Sequence, residues 1–274
     1  MNLEQYFPDA RPWVENLAST FPGSFIKPQF AYWEILHVLS LIMLGGTTIL
    51  ISLRLAGVGL VQEPPSEIHR NLKLWQNVGV IGIVVTGLLI GSANAERLYD
   101  SAAFIVKMLA LIGGIILTYG AMGPVARAEG MVGVGPRIWL VLGLVFWGLA
   151  LALFATSGGI SPGVFHILTA AGLMVLFIAR GRLRWIYLAG LALLVAVQTY
   201  ATHIAIRPDD YARLDPVNKG FAVGFTVWIV GCALFQLFRA GRQPQSGPLT
   251  KIIGYATILV WITAAAAGRW IAFA

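Results

Sequence analysis

Eight apolar runs, each about 17–26 residues long and joined by short connectors, constrain this chain more than any other feature of its sequence. A hydrocarbon core roughly 30 Å thick is crossed by about 20 helical residues, so each run is long enough to span. They are Phe30 to Leu55, Leu74 to Ala93, Ala102 to Met122, Ile138 to Thr156, Gly163 to Ala179, Trp185 to Ile206, Phe221 to Phe238 and Ile252 to Phe273. Breaker residues mark the connectors: Pro64-Pro65, Pro124, Gly158-Gly159, Pro208 and Pro244. The expected fold is an all-α integral membrane protein of about eight transmembrane helices. Composition agrees, because 58% hydrophobic and 11% charged residues with a mean hydropathy of +0.78 leave too little polar surface for a soluble domain.

Residues 1 to 28 are too polar to span, yet Trp13, Leu17, Phe21 and Phe25 recur at roughly helical spacing. An N-terminal interfacial helix is expected there. The segment lacks the basic start and apolar core of a cleaved signal, so the first spanning helix is expected to direct insertion. A single cysteine, Cys232, excludes an intramolecular disulfide and a cysteine-based metal cage.

Basic residues set the orientation. Loops after the first, third, fifth and seventh runs carry about eleven Lys and Arg, and the opposite side carries about seven. The richer side is therefore read as cytoplasmic and both termini as periplasmic, in a bacterial inner membrane. The net charge of +7 follows from these loops, and nucleic acid is not an expected partner.

The two halves share short patterns. Ile35-Leu36-His37-Val38-Leu39-Ser40 is echoed by Val164-Phe165-His166-Ile167-Leu168-Thr169, Arg97-Leu98-Tyr99-Asp100 by Arg213-Leu214-Asp215-Pro216, and Trp147 by Trp261. The inferred organisation is an interfacial helix over 1–28, a first four-helix repeat over 29–157 and a second over 158–274. With four helices per unit, the repeats run parallel about an axis along the membrane normal.

Polar residues inside the runs carry the chemistry. At about 1.5 Å per residue, His37 lies roughly 10 Å inside the outer end of its helix, and His166 and His203 roughly 6 Å inside theirs. Three helices thus bring an imidazole to one outer layer, whereas His69 falls in a cytoplasmic loop. Two imidazoles facing each other across a bundle ligate a haem iron, and His37 with His203 is the favoured axial pair, His37 with His166 its rival. The plain alternative for each is a hydrogen bond to a neighbour. Gly87 aligns with His203 between the halves and offers room for a flat cofactor, as Gly45, Gly46, Gly91, Gly113 and Gly114 offer close approach.

Glu34 sits one helical turn from His37, a spacing shared with half of a di-metal carboxylate site. No second carboxylate lies at that depth, so Glu34 is read as orienting an imidazole or handing a proton to quinone. Lys107 is a candidate partner for Glu34 or a haem propionate, with snorkelling as the competing reading, and Arg97 is a further propionate candidate, with headgroup anchoring as its alternative. The methionines form no ladder of thioether ligands for cuprous ion.

Glu34-Ile35-Leu36-His37-Val38-Leu39, Gly45-Gly46, Leu53-Arg54-Leu55, Thr86-Gly87-Leu88-Leu89 and Ala103-Phe104-Ile105-Val106-Lys107-Met108 together resemble CopD-like and related bacterial four-helix membrane proteins, themselves distantly similar to b-type cytochromes. The resemblance implies a four-helix unit with a histidine in its first helix, matched here by His37, Glu34 and Lys107. The fourth run has no histidine, so a ligand from that helix is absent and His166 or His203 would replace it. The expected function is a haem b electron-transfer subunit, with one haem, between a periplasmic redox protein or enzyme subunit and the quinone pool. CopD-like handling of copper or another metal without haem is the alternative, and anchoring of a periplasmic enzyme is the third reading.

Overall fold

A computed structural model describes residues 2–156, 181–207, 209–239 and 247–271. The described chain is helical, and six of its helices are long and apolar enough to cross a membrane. In order they are α2 (Gly23–Leu55, continuous in helix from Phe30), α3 (Pro65–Ala93), α5 (Ala102–Arg127), α6 (Val134–Phe154), α7 (Arg182–Ala205) and α9 (Pro248–Trp270). Between them stand the short helices α1 (Arg11–Ser19) and α4 (Ala95–Asp100) and one further long helix, α8 (Tyr211–Arg239). The fifth apolar run, Gly163 to Ala179, and with it His166, lie outside the described residues. An all-α, multi-pass membrane protein is the architecture these helices make. Their outward faces carry large apolar side chains, such as Ile35 and Ile42 on α2, Leu74 and Leu88 on α3, and Val141 and Val145 on α6. Lipid accommodates such faces without cost.

The chain divides into two compact units, residues 1–150 with 245–274, and residues 151–244. The first break lies close to the expected boundary at 157, but the last helix packs in the first unit. Indeed α9 is the most enclosed span, with 61% of its apolar window buried against 22% for α3 and for α6. It packs on α2 and α5 through small residues. A Cβ at Gly254 would stand 2.6 Å from the Ser52 carbonyl, and one at Gly114 of α5 would stand 2.8 Å from the Trp261 ring. Trp261 then donates its indole N–H to Thr118 Oγ1 at 2.9 Å, and Trp147 of α6 donates to Thr263 Oγ1 of α9 at 2.9 Å. The two tryptophans that look like counterparts in separate halves therefore serve a single unit, each tying its helix to a neighbour.

Helices α2 and α3 form the closest pair. Gly79 allows this, since a Cβ there would come within 2.6 Å of the Leu44 amide nitrogen. Gly113 gives α5 its contact with α6, at 3.3 Å from Phe146 Cβ. Gly45 and Gly46 differ from the expectation of close approach, because a Cβ at either meets nothing within 4 Å. Helix α5 contains a π-helical stretch, Ile116–Met122, that inserts an extra residue per turn and turns Thr118 toward Trp261.

Before Phe30, short helices take up most of residues 3 to 29. Val14 of α1 packs with Ala95 and Tyr99 of α4, and Arg11 pairs with Glu4, Glu15 and Asp100. Trp13, Phe21 and Phe25 remain exposed, as an interfacial segment requires.

In the second unit, α7 and α8 pack through Gly190 beneath the Trp228 ring, whose N–H donates to the Tyr187 carbonyl at 3.1 Å. Helix α7 ends in a second π-helical turn, Ala201–Ala205, that contains His203.

Candidate functional site

Helix α2 carries His37 because its apolar sequence has no breaker between Phe30 and Leu55, and α3 brings Thr86 and Gly87 alongside. The His37 imidazole is half-buried, with Nδ1 2.8 Å from Thr86 Oγ1. The Thr86 hydroxyl hydrogen is committed elsewhere: it donates to the Gly82 carbonyl one turn back at 2.5 Å. With its hydrogen on Gly82 the threonine oxygen accepts from Nδ1–H, and in that tautomer the Nε2 lone pair is open. That is the tautomer and the second partner a metal-ligating histidine needs.

Gly87 stands directly beside the ring, where a Cβ would lie 3.4 Å from His37 Cε1. Lys107 of α5 is half-buried, and its charge is the one that bears on His37. Its side chain runs along α9, within 3.5–3.6 Å of the place a Gly268 Cβ would take. Glu34 is exposed and forms no ion pair among the described residues, so it does not meet Lys107. Arg97 is exposed on α4.

His203 belongs to the second unit, where the same device recurs. Its Nδ1 lies 2.8 Å from Thr202 Oγ1, and the Thr202 hydroxyl donates to the Gln198 carbonyl at 2.9 Å. With the hydroxyl hydrogen on the preceding turn, the tautomer protonated at Nδ1 leaves Nε2 open here too. His203 is exposed within its π-helical turn, an irregularity common at functional sites.

His69 departs from its expected place in a solvated loop. Helix α3 begins at Pro65, so His69 stands in its first two turns, and the ring is only 5% exposed. Among the described residues no three His, Cys, Asp or Glu side chains converge.

The residues that sequence reasoning passed over are the threonines. Thr86 lay inside a quoted motif and Thr202 stands next to a chosen histidine, but only the packing of α3 on α2 shows that Thr86 faces His37. The signal available was a hydroxyl within an apolar run, where it must bond something.

No curated protein and no solved structure matches the chain. A family model does, that of DUF6644, described as a family of unknown function, over residues 13–160. This stretch is more than half of the chain and holds α1 to α6, with His37, Thr86, Gly87 and Lys107 inside it and His203 beyond it. The chain belongs to the DUF6644 family.

Proposed function

We propose that this protein is a membrane-bound b-type haem electron-transfer subunit in which His37 would hold the haem iron through Nε2. The observation that carries the reading is the 2.8 Å contact of His37 Nδ1 with the Thr86 hydroxyl, which orients the ring and, with the hydroxyl hydrogen on Gly82, frees Nε2 as the ligating nitrogen. The donor chemistry fits the group: neutral imidazole with a fixed tautomer is a ligand that suits haem iron. Haem supplies one-electron chemistry when bound. The chain supplies the rest. Thr86 holds the ring in orientation, Gly87 keeps space beside Cε1, and Lys107 offers a cation to an anionic propionate. His203, whose Nδ1 likewise meets a threonine hydroxyl, and His166 are the other histidines that would supply a ligand to the iron. The physiological setting we infer is a bacterial inner membrane with the His37 end periplasmic, facing a periplasmic redox partner, and with electrons exchanged with quinone.

The test is the spectrum of the purified protein. Reduction by dithionite is expected to produce a sharp alpha band, with stoichiometric iron, and His37→Ala is expected to abolish it. Absence of the band in the wild-type protein overturns the proposal. Stoichiometric copper without iron moves the protein to metal handling, and neither metal to an anchoring role. The band's response to His203→Ala and to His166→Ala identifies the second ligand.

A further inference from the structure

Trp147, Trp228 and Trp261 spend their indole N–H inside the protein, on Thr263, the Tyr187 carbonyl and Thr118. Trp75, Trp139 and Trp185 donate to no described residue, and they are 55%, 45% and 70% exposed. Each of these three follows a basic residue near the start of its helix: Lys73-Leu74-Trp75 on α3, Arg137-Ile138-Trp139 on α6 and Arg184-Trp185 on α7. Lys73, Arg137 and Arg184 are exposed and form no ion pair among the described residues, which include all twelve carboxylate side chains of the sequence.

Contacts within the first unit put two of these sites at one level. Tyr119 of α5 donates its hydroxyl to Asn77 Oδ1 of α3 at 2.9 Å, two residues past Trp75. The next residue, Gly120, lies against α6, where its Cβ would stand 2.5 Å from Trp139 Cγ. Trp75, Tyr119 and Trp139 thus make an exposed row across three helices, with Lys73 and Arg137 on one side of it. Aromatic rings with an apolar body and a polar edge settle at the boundary between lipid and water, and long basic side chains reach outward from there.

Helix length puts the boundary at the same place. With 29 residues α3 is about 43 Å long, against a hydrocarbon core of roughly 30 Å. Its far end meets the N-terminal interfacial segment, where a Cβ at Gly23 would stand 2.9 Å from the Ser92 carbonyl oxygen. From Ala93 back to Trp75 is about 27 Å, which fills the core. The remaining stretch, Pro65 to Leu74, adds about 15 Å beyond it and carries Glu67, His69, Arg70 and Lys73.

We propose that Trp75, Tyr119 and Trp139, with Lys73 and Arg137, anchor the first unit to anionic phospholipid at the boundary remote from His37. The free indole N–H groups meet lipid ester oxygens and the unpaired cations meet headgroup phosphates. No cavity is needed, because the lipid lies along the outer surface of the helices. The first turns of α3, with the enclosed His69, stand outside the hydrocarbon. Arg184-Trp185 gives α7 an anchor of the same kind.

The test uses the full-length protein in nanodiscs of phosphatidylcholine and phosphatidylglycerol. In a Cys232→Ala background, nitroxide labels are attached through Arg70→Cys, Trp75→Cys or Ile81→Cys, all exposed positions on α3. Collisions with oxygen are expected to dominate for the label at 81, collisions with a water-soluble nickel chelate for the label at 70, and the label at 75 is expected to fall between them. Native mass spectrometry counts the retained lipid. The wild type is expected to retain phosphatidylglycerol in preference to phosphatidylcholine, and Lys73→Gln and Arg137→Gln are each expected to lower that preference by about five-fold, the worth of one basic residue at an anionic surface. A label at 70 as accessible to oxygen as the label at 81 overturns the proposal. So does a wild type without lipid preference, or a doubly substituted protein that keeps the wild-type preference.

Discussion

The two ends of the α2–α3 pair treat an imidazole in opposite ways. At one end His37 is half-buried and its Nδ1 is spoken for by Thr86, which leaves a single nitrogen for chemistry. At the other His69 is almost wholly enclosed, has no described hydrogen-bond partner and stands among cations. The first arrangement holds the ring in one orientation through one nitrogen. The second packs the ring against Gly123, with positive charges nearby. What separates the two imidazoles is thus the neighbour's hydrogen-bonding capacity, not the residue type.

The largest effect that breaks this comparison is loss of the cofactor. His37→Ala is expected to remove the reduced alpha band completely, and His69→Gln to leave it unchanged, both read in purified protein. A band that survives His37→Ala, or vanishes with His69→Gln, would exchange the roles assigned to the two ends.

Next in size is the threonine. Thr86→Val keeps the shape but removes the acceptor for Nδ1–H, and is expected to lower cofactor affinity by about 10–100-fold, as loss of an outer hydrogen-bond partner typically does. Thr86→Ser restores the hydroxyl and should recover most of it. Titration of haem into the apo variants reads both, and equal affinity for Val and wild type would remove Thr86 from the site.

Much of the scaffold was legible in the sequence, because apolar runs of spanning length can be satisfied only as helices in lipid. Six of the eight runs coincide with helices able to cross. What could not be read was which helix stands in the middle. Lipid tails are as apolar as leucine, so hydropathy does not tell a lipid-facing side from a protein-facing one. The last run therefore looked like the end of a second repeat, though α9 is packed among the helices of the first unit through Gly254 and Trp261. His69 was misplaced for a related reason. Its polar neighbours, Ser66, Glu67 and Arg70, suggest a loop, but Pro65 is a sound first residue for a helix, and α3 begins there.

The contact between the two ends is sensitive to one methyl group. Gly79→Ala would drive a Cβ into the Leu44 backbone, a clash that cannot relax by a side-chain movement. Overpacking of about 1–3 kcal/mol, offset by about 1 kcal/mol of improved helix propensity, leaves a net destabilisation of about 1 kcal/mol. Gly45→Ala on the same helix pair meets nothing within 4 Å and is expected to be neutral or mildly stabilising. Thermal unfolding in detergent compares them, and a Gly79→Ala protein as stable as Gly45→Ala would mean that α2 and α3 do not touch at this level.

The smallest effect concerns the segment tied to the His37 end alone. Arg11 joins Glu4, Glu15 and Asp100, and Tyr99 of α4 donates its hydroxyl to the Phe7 carbonyl. The hydrogen bond to Glu4 holds the guanidinium above its ordinary value, so Arg11 keeps its charge throughout the accessible range. Burial, then the charge of Glu4, pushes the Tyr99 phenol above 10. A raised phenol value favours the neutral, donating form in the folded state. Its contribution is complete below pH 10 and is lost as pH rises through the raised value, when the hydroxyl no longer donates to Phe7. Amide hydrogen exchange over residues 3 to 19 is therefore expected to accelerate above pH 10, beyond the intrinsic base-catalysed rise, in the wild type. In Tyr99→Phe that step should be missing and exchange already faster at neutral pH. Exchange near His69 should not respond, because the ties of this segment run to the connector between α3 and α5. A wild-type profile identical to that of Tyr99→Phe would detach the segment from α4.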